Sequence, residues 1–169
     1  MPARLEWLEA LATGDEVFEQ RFNVAVAPGW VGFPEALPVA VETARRDPEN
    51  QWGTHLFFDS ADGALVGFGG FKGRPRNGEV EIGYAVAPSR QGRGIATGVV
   101  GVLLSRAAAA GVATVCAHTL ASESPSTSVL RKSGFTRTAV IDDPLHGETW
   151  RWELASKHSE LDGPGGDLA

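Results

Sequence analysis

The amino-acid sequence predicts an α/β protein, a mixed β-sheet with helices on its faces. Two stretches alternate with period two, one in the middle of the chain and one at its end, as strands do. Between them lies one strand–helix–strand passage, from "EVEIGYAVA" through an aliphatic, alanine-rich run to "VATVCAHTL". Such a passage joins neighbouring parallel strands. The beginning of the chain reads instead with helical spacing. The predicted order is αα-βββ-α-β-α-ββ, within 169 residues, a length suited to one domain with its own core.

Taken in order, Leu5, Leu8, Leu11, Val17 and Phe18 approximate one apolar stripe. They predict a helix from Leu5 to about Phe22, weakened at Gly14. "NVAVAPGWVGFPEAL" interrupts it with turn residues set among large apolar ones. A second helix is predicted from Pro34, as its first residue, to about Arg46, ahead of Asp47-Pro48. "WGTHLFFD", "ALVGFGGFK" and "EVEIGYAVA" are three strands. The short turns "SADG" and "GRPRNG" join them into an antiparallel meander that Pro88 stops. A helix follows from about Ile95 to Ala110, with Gly111 at its end, and "VATVCAHTL" is the next strand. Ser124 caps a helix that has Pro125 at its first position and Gly134 after its end. "FTRTAVI" and "TWRWEL" close the sheet across a loop containing "DDPLHG". In the second, Trp150, Trp152 and Leu154 fall on one face and Thr149, Arg151 and Glu153 on the other. Residues 1–154 read as a single domain and 155–169, ending "GPGGDLA", as a flexible tail.

Composition excludes several classes. A net charge of −6 argues against a nucleic-acid binder, which needs a basic face. No run approaches membrane-span length, and the N-terminus lacks the basic-then-apolar layout of a secretion signal, so a cytoplasmic protein is expected. Cys116 is the only cysteine, which leaves no internal disulfide and no cysteine-based metal cage. No metal site is expected.

The segment "RQGRGIATG", from Arg90 to Gly98, ends a strand and opens a helix through glycine and arginine. This places free backbone N–H groups at the positive end of a helix dipole, which suits a phosphate. Gly92 and Gly94 leave room for a close approach, and Arg90 and Arg93 can add charge. Gly98 and Gly101, inside the helix, suggest that a ligand or the sheet beneath comes close there. A Walker loop is excluded because Val99, not Lys-Ser/Thr, follows the last glycine. A dinucleotide fingerprint lacks its acid near the end of the next strand, where the chain reads "VATVCAHT".

The spacing Gln91-x-x-Gly94-x-Ala96 resembles the Gln/Arg-x-x-Gly-x-Gly/Ala signature of the GNAT superfamily of acyl-CoA N-acyltransferases. "EIGYAVAPSRQGRGIAT", "GVATVCAHTLASESPSTSVLRKSGF" and the closing strand pair resemble its ribosomal-protein-alanine (RimJ/RimL-type) branch, over about Gly63 to Leu154. The resemblance implies a GNAT-like fold, acetyl-CoA as cofactor and acetyl transfer to a primary amine by direct attack in a ternary complex. It implies a pyrophosphate on the N–H groups of Gln91, Gly92, Arg93, Gly94, Ile95, Ala96 and Thr97. It further implies a pantetheine arm along Tyr84, Ala85 and Val86, in a slot where this strand and "VATVCAHT" splay apart. Glu123 stands where the family often has an asparagine that holds the arm, so that contact is altered or absent. The acceptor is a small-molecule, peptide or protein amine, and monomer and homodimer both remain open.

Acyl transfer needs a neutral amine, a donor for the developing oxyanion and a proton for the departing thiolate. A backbone N–H near Val86 can serve the oxyanion. Glu81 is the candidate base, directly or through water, or else a solvent-facing strand carboxylate. Ser126 matches a family position near the thiol and is the candidate proton donor, or else a helix-capping residue. His118 and Cys116 read as structural. Trp30, Phe33 and Trp52 are expected to wall the acceptor side or to anchor the core. Two other functions stay open, a non-catalytic acyl-CoA-binding module and a nicotinamide-nucleotide enzyme.

Overall fold

The computed structural model describes residues 1–155. The elements follow the predicted order with one more helix: α1 (Leu5–Thr13), α2 (Asp15–Phe22), α3 (Ala36–Arg46), β1 (Thr54–Phe58), β2 (Leu65–Phe71), β3 (Glu79–Val86), α4 (Ile95–Ala109), β4 (Thr114–Leu120), α5 (Pro125–Lys132), β5 (Thr136–Asp143) and β6 (Gly147–Ala155). A single 3₁₀ turn, Pro88–Arg90, leads into the glycine-rich loop. The tail expected over 155–169 lies, apart from Ala155, outside the described residues.

Gly14, at φ 158° and ψ 151°, ends α1, so the single helix expected over Leu5–Phe22 is two. The next helix starts at Ala36, not at Pro34. It holds Pro38 without a break because the first amides of a helix have no intrahelical acceptor to lose. The loop expected around "DDPLHG" shrinks to 144–146, since β5 runs on to Asp143 and β6 begins at Gly147.

The sheet has six strands in the order β1-β2-β3-β4-β6-β5. β1, β2 and β3 form the antiparallel meander, and β3 and β4 are the parallel pair flanking the α4 crossover. One core packs α1, α2 and α3 against β1 and β2 through Leu8, Leu11, Phe18, Leu56, Val66 and Phe68. The other packs α4 and α5 against β3, β4 and β6 through Val80, Ile82, Leu103, Val115, Leu130 and Trp152. Trp152 is buried as its alternation requires, and its indole N–H donates to the Thr119 hydroxyl at 3.0 Å. Thr149, placed by period two on the open face, is buried too, and its hydroxyl donates to the Ile141 carbonyl.

No helix among the described residues is long and apolar enough to cross a membrane.

Candidate active site

β3 and β4 pair over three positions only, Glu79 with Thr114, Val80 with Val115 and Glu81 with Cys116. Beyond Glu81 the two strands part. β3 stays bonded to β2 as far as Val86, and β4 stays bonded to β6 as far as Leu120. The result is a slot opening through the sheet, with one edge of Tyr84–Val86 left unpaired on the β4 side. The predicted splay is present.

The glycine-rich loop stands at the end of β3. Gly92 and Gly94 have φ of 74° and 79°, the left-handed region that favours glycine. A Cβ at either would meet no atom within 4 Å, so the space before the loop is open. Gly94 immediately precedes α4, whose first-turn amides therefore face that space. Gln91 donates through Nε2 to the Val86 carbonyl at 3.1 Å and ties the loop to the slot edge.

The two arginines behave differently from each other. Arg90 is not available to a phosphate: its guanidinium binds Asp59 at 2.9 Å and Asp62 at 2.8 Å and is mostly buried. It braces the β1–β2 turn against the loop. Arg93 reaches Asp59 only at 3.4 Å and is half exposed, which leaves it able to meet an anion. Gly98 and Gly101 are exposed, and a Cβ at either would meet nothing within 4 Å, so the sheet does not press on them. A cavity of about 420 Å³ lies between β1 and α4, lined by Phe57, Asp59, Arg93, Gly94 and Val102 among others.

Across the slot, α5 begins with Ser124 as its cap. The Ser124 hydroxyl accepts from the Thr127 amide, and the Thr127 hydroxyl accepts from the Ser124 amide. Capping therefore belongs to Ser124, and Ser126 is free of that task. The Tyr84 hydroxyl donates to the Ser126 carbonyl at 3.2 Å, a bridge from β3 to α5. Burial raises the Tyr84 phenol above its ordinary range. Glu123 turns onto α5: Arg131 grips both its oxygens and Thr127 donates to one. The Arg131 contact, aided by Thr127, holds the Glu123 carboxyl at about 2, so it stays ionised.

Val80, Ile82, Val115, Ala117 and Trp152 belong to the core under α4 and α5. Their alternates Glu79, Glu81, Cys116, His118, Arg151 and Glu153 point to the opposite side of the sheet. The loop between α2 and α3 lies over that same side at Ala85, where a Cβ on Gly32 would collide with the Ala85 side chain. Phe33, on this loop, is 56% exposed. Trp30 and Trp52 are core anchors instead of pocket walls. Trp30 is buried against Phe68 with its indole N–H on Asp15, and Trp52 packs on Phe71 in the other core.

Glu81 accepts from Lys72 Nζ and stands 3.0 Å from His118 Nδ1. Burial pushes its carboxyl up, but the Lys72 ammonium and His118 outweigh it and hold it below the ordinary value. The His118 contact escaped sequence reading. The signal was present, since Glu81 and His118 each fall on the same face at the point where their strands separate. Cys116 is buried, and burial with the adjacent Glu79 carboxylate pushes its thiol up to about 12. It is not a nucleophile at neutral pH.

A sheet parted between parallel strands, with a glycine-built cradle of amides at the mouth of the gap, defines an acyltransferase of the N-acetyltransferase class. The chain belongs to the acetyltransferase (GNAT) domain family, whose model matches residues 9–136. Among curated proteins, none matches the chain by sequence. Solved structures share the fold at low identity. A ribosomal-protein-alanine acetyltransferase from Vibrio fischeri is 16% identical with a TM-score of 0.66, covering 93% of this chain and 92% of its own. An N-acetyltransferase from Staphylococcus aureus is 23% identical with a TM-score of 0.64, covering 93% and 97%. A spermidine N-acetyltransferase chimera from Vibrio cholerae is 14% identical with a TM-score of 0.60, covering 73% and 79%.

Proposed function

We propose that residues 1–154 form one catalytic domain that moves an acetyl group from acetyl-CoA to a primary amine by direct attack in a ternary complex. The observation that carries this reading is the parting of β3 and β4 beyond Glu81, next to the open amide cradle that begins α4. The diphosphate of the cofactor rests on the amides from Gln91 to Thr97, helped by Arg93. The pantetheine arm lies along the unpaired edge of Tyr84, Ala85 and Val86, as an added strand would. A backbone N–H near Val86 polarises the thioester carbonyl. The amine attacks the acyl carbon, the C–S bond breaks, and Ser126 hands its hydroxyl proton to the departing thiolate and regains one from solvent. Glu81 is the anionic end of the path that takes the proton from the amine. The high-lying, buried Cys116 thiol supports direct transfer without an acyl-enzyme. The acceptor class fits the N-terminal amine of a protein, by likeness to the ribosomal-protein-alanine branch. A cytoplasmic location goes with a single unpaired cysteine and a CoA thioester substrate.

The test is release of CoA thiol from acetyl-CoA against a panel of amines and alcohols. Amine-dependent release is expected. Release with alcohols alone refutes the acceptor class, and binding of acetyl-CoA without release on any acceptor favours a binding module. Gly94→Val puts a branched side chain into the open space before the loop and should abolish measurable binding in calorimetry. Undiminished affinity in that variant would sink the loop assignment.

A further inference from the structure

Where β3 and β4 separate, the side chains facing the acceptor side form one charged group. Nearly every member is committed to another. Arg151 binds Glu79 at 2.6 Å and Glu153 at 2.7 Å. Lys72 binds Glu81. Cys116 donates to Glu79 from a buried position. His118 is the exception: Nδ1 contacts Glu81, while Nε2 has no hydrogen-bond partner among the described residues, and the side chain is 26% exposed. An ionised carboxylate only accepts, so it selects the tautomer with the proton on Nδ1 and leaves the lone pair on Nε2. The Glu81 oxygen concerned, Oε1, already takes two donors, which makes that oxygen a poor acceptor for a further proton.

We infer that His118, oriented by Glu81, receives the proton that the acceptor amine loses as it attacks the thioester. The inference rests on the acetyl-transfer reading above. The amine nitrogen forms a bond to the acyl carbon, the C–S bond breaks, and the thiolate leaves with the electron pair and is protonated on the cofactor side. The proton from nitrogen passes to Nε2. The resulting imidazolium is held by the Glu81 carboxylate and gives its proton to solvent before the next turnover. His118 is then the catalytic base and Glu81 a positioning residue.

The test uses the full chain, acetyl-CoA, and both an alanyl peptide and spermidine as amine probes. His118→Gln should lower kcat at least ~100-fold, in line with loss of a general base, and change acetyl-CoA affinity less than about twofold. The part of the rise with pH that does not come from the amine's own deprotonation should be lost in this variant. The charged and titrating neighbours Glu79, Glu81, Lys72, Cys116, Arg151 and Glu153 remain, so a limb due to any of them would persist. Glu81→Gln should retain more activity than His118→Gln, because the imidazole stays in place and loses only the group that orients it. A ring-nitrogen NMR spectrum gives a readout independent of turnover. The His118 signals, assigned by their loss in His118→Gln, should report the Nδ1–H tautomer in wild type and a mixture in Glu81→Gln. Wild-type turnover in a folded His118→Gln variant would overturn the inference while leaving acetyl transfer intact. No turnover of either amine by the wild-type protein, with acetyl-CoA still bound, would remove the acetyl-transfer reading and this inference together.

Discussion

The glycines in and just before α4 separate two roles that look alike in the sequence, and replacing them with alanine should move stability in opposite directions. Gly98 and Gly101 sit inside the helix with open space where a Cβ would be. Alanine there should cost no steric energy and remove backbone freedom from the unfolded chain, a gain of about 0.5–1 kcal/mol at each site. With an unfolding entropy of about 2.1 cal/mol/K per residue, the chain of 169 residues has roughly 0.35 kcal/mol/K at its midpoint. The double variant should therefore melt about 3–6 °C higher. Gly94 has the same open space but φ of 79°. Alanine there takes the left-handed penalty of ~1–2 kcal/mol and should melt about 3–6 °C lower. Differential scanning calorimetry of the Gly98→Ala/Gly101→Ala double variant and of Gly94→Ala checks both. A double variant that melts at or below wild type refutes the reasoning, because something would then occupy that face of α4. A Gly94→Ala variant that melts like wild type would show that the loop is not held in the left-handed conformation.

Three further outcomes are expected. Ser126→Ala should lower kcat about 100-fold with acetyl-CoA affinity and melting temperature nearly unchanged, and the loss should shrink with an acyl donor whose thiol is more acidic; a normal kcat removes Ser126 from the mechanism. Glu123→Asn releases Arg131 and removes a carboxylate from beside the proposed cofactor path, so acetyl-CoA should bind about 2- to 5-fold tighter in calorimetry, the size of one screened charge contact. His55 is held at about 4 by burial, with the Arg106 guanidinium and the N-terminal ammonium adding to it against the pull of the Gly53 carbonyl, so the unfolded chain takes up a proton near pH 6.5 that the folded one refuses. Stability should fall by about 2 kcal/mol from pH 7.5 to pH 5, and urea midpoints of His55→Gln should lack that part of the slope.

Element order was legible because turn residues punctuate this chain strongly. "SADG", "GRPRNG", Pro88, Gly111 and Gly134 each stop an element where the structure stops it, within a residue or two. The errors came where local geometry outweighed pattern. Gly14 sat inside a continuous apolar stripe, yet a backbone no helix allows splits α1 from α2. Pro34 is a good first residue for a helix, but Pro38 can also stand in a first turn, and the helix begins later. The amide cradle was legible for the opposite reason. Glycine at Gly92 and Gly94 records a backbone conformation directly, so spacing alone located it.

Charged side chains were the least legible part, because their partners are set by distances across the sheet that no local pattern contains. Arg90 and Arg93 are three apart in one loop and read alike. Asp59 and Asp62, roughly thirty residues earlier, capture the first almost entirely and the second weakly. The same holds on the side of the sheet away from α4 and α5. His118 read as a lone strand histidine because Glu81 is 37 positions away, and only the parallel register of β3 and β4 brings them together. That register ends at Glu81 and Cys116, two pairs short of the position where His118 would lie opposite Gly83. Had the pairing run two residues further, His118 would lie in a closed ladder opposite Gly83 and not at the edge of the slot. The parting of β3 and β4 is thus also what places His118 at the slot. A variant that re-closes the pair beyond Glu81 should lose cofactor binding and the accessible Nε2 together.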